Sequence, residues 1–207
     1  MIWMCPIFAS PQRDSGYDIK DYYSIDPIFG TMEDLELLIA EAKKRNIYLM
    51  FDMVFNHTST EHRWFKKALE GNREYMDYYI FREGSPDAPP TNWQSKFGGN
   101  AWEYVPRLKK WYLHLFDVSQ ADLNWDNPRL RSEIISMVKW WLEKGVAGFR
   151  IDAIINIKKD PAFPDYPADG SDGLVSCTKM VEEVEGVGEL LEELKKETFE
   201  TYGAFTV

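Results

Sequence analysis

The strongest constraint on the fold is a repeated strand–helix–strand pattern. Residues 2–8 and 47–51 are short apolar runs, and between them apolar residues recur at helical spacing after Thr31. A strand, a helix and a strand in about 50 residues make a βαβ unit, whose two strands are parallel. A second helix begins at Pro128, and a third strand spans residues 146–151. The sequence therefore predicts an α/β fold built on a parallel sheet or barrel.

A long irregular segment interrupts this pattern. Residues 58–118 are rich in Trp, Tyr, Pro, Gly and charged residues, and they are too long for an ordinary loop between a strand and a helix. We interpret them as a small subdomain inserted between two barrel parts, at residues 1–57 and 119–207. In the second part, residues 155–176 have the composition of a loop, and residues 178–201 that of a glutamate-rich helix broken near Gly186 and Gly188.

The number of strands limits what the chain can form by itself. Residues 204–207 begin like a fourth strand. Four strands and about three helices are too few to close an eight-stranded (β/α)8 barrel. We therefore expect an internal fragment of a longer protein, which aggregates or needs its missing half because its sheet has open edges.

Charge and hydropathy exclude several classes of partner. A formal net charge of −10 argues against nucleic acid or an anionic membrane surface as the main partner. No apolar run approaches the roughly 20 residues of a membrane-spanning helix, and Met1 leads into a strand-like run rather than a secretory leader. The two cysteines, Cys5 and Cys177, are predicted to be buried thiols in a reducing cytoplasm. No motif indicates a cofactor or a metal, and no feature sets the oligomeric state.

Polar residues follow two of the predicted strands. Asp52, Asn56 and His57 lie at the end of the second strand, and Arg150 and Asp152 at the end of the third. The carboxyl ends of parallel strands face the active site in α/β folds, and a carboxylate beside an arginine is held ionised. The alternatives are a turn whose polar side chains satisfy the backbone, and a buried structural ion pair.

Two further segments carry residues that suit a hydroxyl-rich ligand. Asp14 and Tyr17 lie in the loop after the first strand, and Phe116 and Gln120 lie where the inserted segment ends. Each can equally be a solvated turn or a junction between subdomains. Aromatic residues make up 15% of the chain and can stack on sugars. Since the sequence has no phosphate-binding loop, no nucleophile elbow and no zinc-protease motif, carbohydrate is the best-fitting ligand class.

Four ordered motifs resemble those of the α-amylase superfamily, glycoside hydrolase family 13. They are residues 10–18 (SPQRDSGYD), 52–57 (DMVFNH), 120–125 (QADLNW) and 148–153 (GFRIDA). The nearest likeness is to the oligo-1,6-glucosidase and α-glucosidase group, which includes trehalose-6-phosphate hydrolases and sucrose isomerases. The resemblance implies a (β/α)8 barrel, of which this chain holds about strands two to five, with a domain B inserted after the third strand. It also implies that any structural calcium site would precede Met1.

The resemblance also implies roles for individual residues. Asp152 would be the nucleophile of a retaining, exo-acting α-glucosidase, and Arg150 would orient it. The residues around the terminal glucose would be Asp14, Tyr17, His57, Phe116 and Gln120. Asp52 and Asn56 would be structural partners beside the site.

Two features of the family pattern bear on activity and specificity. The acid/base glutamate is expected just after residues like 204–207, so the chain alone is expected to be inactive. Ala153 stands where many α-1,6-acting relatives have valine, which favours α-1,4 or mixed specificity. The alternatives are a trehalose-6-phosphate hydrolase or sucrose isomerase of the same group, a truncated pseudo-enzyme, and a non-catalytic scaffold relative such as the heavy chain of an amino-acid transporter.

Overall fold

The computed structural model describes residues 1–182 and 184–207, which contain both strands and helices. The strands are β1 Ile2–Met4, β2 Phe8–Ala9, β3 Asp21–Ile25, β4 Leu49–Val54, β5 His57–Ser59, β6 Phe81–Glu83, β7 Trp93–Gln94, β8 Trp102–Val105, β9 Lys110–Leu113, β10 Gln120–Asp122, β11 Gly148–Asp152, β12 Val175–Ser176 and β13 Phe205–Thr206. The helices are α1 Met32–Lys44, α2 Arg63–Leu69, α3 Arg73–Met76, α4 Pro128–Glu143, α5 Val187–Leu194 and α6 Glu200–Tyr202. None of the helices in these two ranges has the length and apolarity needed to cross a membrane.

A four-stranded parallel sheet forms the centre of the fold. Its order is β1–β4–β11–β13, and every neighbouring pair is parallel. The pairing of β4 with β11 places Arg150 opposite Asp52 and Asp152 opposite Val54. Gly148 allows the close approach of β13, because a Cβ added there would lie 2.1 Å from the carbonyl oxygen of Phe205. The predicted α/β fold is therefore confirmed.

The two long helices start and pack as the sequence predicts. Thr31 begins α1 with a capping box, and Asn127 caps α4, whose first residue is proline. The side chains that α4 buries against the sheet lie on one stripe at helical spacing: Leu130, Ile134, Met137, Val138, Trp141 and Leu142. Leu38, which the pattern places in the core beside Leu35, is 45% exposed.

The first and second predicted strands are shifted or divided. Residues 2–8 form two separate strands because Pro6 lacks an amide hydrogen for the sheet, and β2 leaves the sheet to pair antiparallel with β3. Cys5 lies at this break and is exposed, so the expectation of a buried thiol is wrong for it, whereas Cys177 is buried. The strand predicted at residues 47–51 spans Leu49–Val54, which places Asp52 inside the sheet rather than beyond it.

The segment after β4 carries its own small sheet. Strands β6, β9 and β8 are antiparallel, and β12 pairs in parallel with β7. The stretch at 155–176, predicted as loop, thus contributes a strand to this region. Of the helix predicted at 178–201, α5 begins at Val187, directly after the break predicted at Gly186, which takes a left-handed conformation with φ of 96°. Residue 183, within the predicted range, lies outside the described residues.

Acid should weaken the fold through His62. This side chain is buried, packs 4.4 Å from the Trp64 ring, and accepts a hydrogen bond from the Trp64 amide as the cap of α2. Burial lowers its pKa from 6.5 to about 3. Below pH 6.5 the unfolded chain therefore binds a proton that the folded chain does not, and the free energy of unfolding falls by roughly 1.4 kcal/mol per pH unit.

Urea unfolding at several pH values between neutral and mildly acidic measures this slope. His62→Asn keeps a good helix cap but removes the titrating group, so its stability should depend less on pH. An unchanged slope in this variant would assign the acid sensitivity to other groups.

Candidate active site

The centre of the candidate site is an arginine held between two aspartates. Nη1 of Arg150 lies 3.0 and 3.2 Å from the two carboxylate oxygens of Asp52, and 2.5 Å from Oδ1 of Asp152. Arg150 and Asp152 are two residues apart on β11, so both side chains leave the same face of the sheet. The parallel pairing brings Asp52 opposite Arg150 on β4. The structure therefore brings together the two predicted strand-end clusters.

The electrostatics of this group favour a charged arginine. Burial lowers the pKa of Arg150, but the hydrogen bonds and charges of Asp52 and Asp152 outweigh it and raise the pKa overall. Burial raises the pKa of Asp52, and hydrogen bonds from Arg150 and Tyr17 oppose that rise. The side chain of Asp52 is fully buried, while that of Asp152 is 21% exposed. Asp152 is therefore the carboxylate that a ligand can reach.

Two aromatic residues hold Asp52 from the other side. The indole Nε1 of Trp3 and the hydroxyl of Tyr17 each donate to Oδ2 of Asp52 at 3.2 Å. Burial raises the pKa of Tyr17 to about 12, with the charge of Asp52 adding to the effect, so its hydroxyl stays protonated. Sequence reasoning missed Trp3, because an apolar strand residue gives no sign that its N–H faces a carboxylate.

A second polar group surrounds His57. Nε2 of Gln120 lies 2.8 Å from Oδ2 of Asp14 and 3.1 Å from Nε2 of His57. The ring of Phe116 lies 5.1 Å from that of His57. The antiparallel pairing of β5 with β10, with Asp122 opposite His57, holds this group together. Four predicted residues, three from separate motifs and one from the end of the inserted segment, thus meet at one place.

The charge of Asp152 links the two groups. It acts on the ionisation of both Tyr17 and His57. Burial lowers the pKa of His57 despite the nearby carboxylates Asp122 and Asp152, so the imidazole is neutral near pH 7. The site consequently combines an accessible carboxylate, a charged guanidinium and a neutral imidazole.

A buried aspartate shapes the loop that carries Asp14 and Tyr17. Asp18 is fully buried and accepts hydrogen bonds from Ser10 Oγ at 2.8 Å and from the amides of Arg13 and Asp14 at 3.1 Å each. Within the loop, Gly16 has a φ of 97°, and a Cβ there would lie 3.0 Å from the Pro6 carbonyl oxygen. The loop therefore requires glycine at this position.

A buried ion pair that the sequence did not single out lies behind His57. Nζ of Lys159 is 2.9 Å from Oδ1 of Asp122 and 2.8 Å from Oδ1 of Asn56. Lys159 comes from an irregular stretch after β11, where no periodicity predicts burial. Asn56, predicted as a structural neighbour of the site, thus contacts both this pair and His57.

The backbone turns sharply after the accessible carboxylate. Ala153 takes the left-handed conformation with φ of 49° and ψ of 28°, which costs a residue other than glycine roughly 1–2 kcal/mol.

In the part of the chain that the structure describes, no three His, Cys, Asp or Glu side chains converge as metal ligands would.

Comparison with known proteins assigns the chain to a family. The sequence matches the family described as "Alpha amylase, catalytic domain" over residues 1–207. The chain belongs to the α-amylase family. This family member is 44% identical over its whole length to trehalose-6-phosphate hydrolase of Escherichia coli K12 and 44% identical to a probable oligo-1,6-glucosidase of Bacillus subtilis 168.

The solved structures agree with this assignment. The crystal structure of Bacillus licheniformis trehalose-6-phosphate hydrolase superimposes on 99% of the α-amylase family chain with a TM-score of 0.92 and 50% identity. The chain covers 36% of that protein, and 36% and 38% of the Escherichia coli and Bacillus subtilis relatives. It therefore spans little more than a third of the length of these relatives.

Proposed function

We propose that this chain is part of a retaining, exo-acting α-glucosidase that hydrolyses terminal α-1,4 or α-1,6 glucosidic bonds of short oligosaccharides. The observation that carries the proposal is the Asp52–Arg150–Asp152 group, which presents one accessible carboxylate beside a fixed cation.

The architecture is consistent with this proposal. The four parallel strands of the central sheet fit strands two to five of a (β/α)8 barrel. The antiparallel sheet within residues 58–118 fits a domain B inserted after the third barrel strand. The second barrel part, residues 119–207, then supplies β11 and β13.

The chemistry follows from the placement of Asp152. A carboxylate that a guanidinium holds in place by a hydrogen bond can attack the anomeric carbon and form a covalent glycosyl–enzyme intermediate. Retaining hydrolysis also needs a second carboxyl group about 5 Å away, which acts first as acid and then as base. Because the relatives are much longer than this chain, we propose that another part of the full-length enzyme supplies this group.

The group around His57 suits the hydroxyls of a terminal glucose. Asp14 offers carboxylate oxygens, and His57 and Gln120 offer N–H donors at the same place. Tyr17 and Phe116 add aromatic faces, which bind the apolar side of a sugar ring. A site that surrounds one terminal sugar in this way favours exo-action on short substrates.

The reaction requires no organic cofactor in this scheme, and we propose a cytoplasmic enzyme whose partner is a small oligosaccharide. No nucleic acid or membrane partner is proposed, since the chain carries a net charge of −10. Ala153 directly after the nucleophile favours α-1,4 or mixed specificity.

Assays of the full-length enzyme that contains this chain test the proposal. We expect glucose release from maltose and isomaltose, and first-formed glucose in the α configuration from an aryl α-glucoside by proton NMR. A first product in the β configuration, or no hydrolysis of either sugar, would contradict the proposal. A strong preference for isomaltose would overturn only the linkage assignment.

A second candidate is hydrolysis of trehalose 6-phosphate. It is favoured by the 50% identity to the Bacillus licheniformis trehalose-6-phosphate hydrolase. Lys96 places an ammonium 6.0 Å from the Phe116 ring, although it is also paired with Glu182 at 2.8 Å. Comparing kcat/KM for trehalose 6-phosphate with that for maltose separates the two candidates, and a value that is higher by a factor of about ten or more on the phosphorylated sugar would favour the second.

A further inference from the structure

We propose that Lys159 and its buried partner Asp122 are positioning residues that together fix the tautomer of His57, an inference that rests on the proposed role of His57 in binding glucose. The side chain of Lys159 is only 3% exposed. Its Nζ donates to Oδ1 of Asn56 at 2.8 Å and to Oδ1 of Asp122 at 2.9 Å. Lys159 itself does not contact His57, so it acts through Asn56.

The lysine removes the ambiguity in the orientation of the Asn56 amide. An ammonium group has only donors, so the Asn56 atom that it contacts must be the oxygen. The amide nitrogen then lies 2.6 Å from Oδ1 of Asp122 and 3.1 Å from Nδ1 of His57. Each amide hydrogen has an acceptor only if Nδ1 of His57 carries a lone pair.

The other contacts of His57 decide between its two neutral tautomers. With the proton on Nε2, the ring donates to the Tyr17 carbonyl oxygen at 3.2 Å and accepts from Asn56 at Nδ1. With the proton on Nδ1, the ring can accept only from Nε2 of Gln120, at 3.1 Å, and Nδ1–H opposes the Asn56 amide. The Nε2–H tautomer in turn sets Nε2–H against the Gln120 amide nitrogen, whose other hydrogen is donated to Asp14. Two satisfied contacts against one still favour the Nε2–H tautomer.

This tautomer has a consequence for binding. Nε2–H lies on the edge of the ring that faces Tyr17 and Gln120, and Gln120 in turn contacts Asp14. The imidazole therefore carries an N–H, shared with the Tyr17 carbonyl oxygen, on the side where the proposed glucose hydroxyls would bind. Both members of the buried pair hold the Asn56 amide in this orientation, the ammonium through its oxygen and the carboxylate through its nitrogen. With both charges removed, the amide could rotate by about 180° and turn its oxygen towards Nδ1, which would favour the opposite tautomer.

Side-chain nitrogen NMR of the full-length enzyme that contains this chain tests the inference directly. The His57 resonances are assigned by their loss in His57→Asn. We expect the Nε2–H tautomer near neutral pH in the unaltered chain and in Lys158→Met. Lys158 is the matched control because it is the adjacent lysine and pairs with Asp126 instead. In the double variant Lys159→Met/Asp122→Asn the Nδ1 resonance should shift towards that of a protonated nitrogen. The substituted amide keeps its oxygen towards the Leu115 N–H and sets its nitrogen against the Asn56 amide nitrogen, so the Asn56 amide has to rotate.

These spectra need no substrate, so their outcome is independent of whether the proposed hydrolysis is found. The Nδ1–H tautomer in the unaltered chain would overturn the inference, as would an unchanged His57 spectrum in a cooperatively folded Lys159→Met/Asp122→Asn variant. If the double variant does not fold cooperatively, the tautomer found in the unaltered chain and in Lys158→Met decides.

Discussion

Replacing Asp152 with asparagine in the full-length enzyme is expected to lower kcat by a factor on the order of 10⁴ or more. An amide cannot attack the anomeric carbon, so the covalent step of a retaining mechanism is lost. The fold should survive, because Arg150 keeps its two contacts with the buried Asp52. Initial rates on a chromogenic α-glucoside measure the effect.

A trapping experiment separates the loss of the nucleophile from an indirect effect. A mechanism-based fluorosugar should label Asp152, as identified by mass spectrometry of the digested protein, and should fail to label Asp152→Asn. Asp87→Asn is the matched control, because Asp87 is exposed and lies in the segment after β6. A label on another residue, or near-normal turnover by Asp152→Asn, would contradict the assignment of the nucleophile.

The meeting of the site residues followed from a rule about parallel sheets. Asp52 and Arg150 are far apart in the sequence, yet strand order and direction place them opposite each other. Period-two alternation also put Arg150 and Asp152 on one face. The parallel direction of the strands could be predicted from the sequence, and it was enough to bring these residues to the same end of the sheet. The individual atomic contacts depend on strand register.

The residues that sequence reasoning missed have contacts set by register or by irregular backbone. The indole of Trp3 reaches Asp52 because β1 pairs with β4 in a register that places Trp3 opposite Met50. Lys159 is buried by a stretch with no periodic pattern, and its partners Asn56 and Asp122 are far away in the sequence. Such contacts become visible only when the strands and loops have been placed.

Strand and helix bounds failed for local reasons. The break at Pro6 divides the first apolar run, since proline cannot donate to the sheet. Pro6 was visible in the sequence, but the apolar character of the run outweighed it in the prediction. Gly186 was predicted to break the last helix, and α5 begins directly after it.

Removing the cation from the centre of the site should have the largest effect on stability. In Arg150→Met the carboxylate of Asp52, whose side chain is fully buried, loses its ion pair with the guanidinium. Leaving one partner of a buried pair uncompensated costs about 3–5 kcal/mol. Because the arginine side chain is 32% exposed and solvent screens part of this effect, we expect a loss near the lower end of that range at pH 7.

The loss should depend on pH in a defined direction. Without Arg150, burial and the nearby Asp152 raise the pKa of Asp52 in the folded variant above its value in the unfolded chain. Protonation of Asp52 then removes its uncompensated charge from the folded state. The loss in the free energy of unfolding, relative to the unaltered protein, should therefore shrink as the pH falls from 7 towards about 5.

Urea unfolding of the full-length enzyme at the two pH values measures this loss. Arg129→Met, which breaks the exposed pair with Glu74, should cost less than about 1 kcal/mol at either pH. Equal losses in the two variants would show that the Asp52–Arg150 pair is as weakly stabilising as an exposed one.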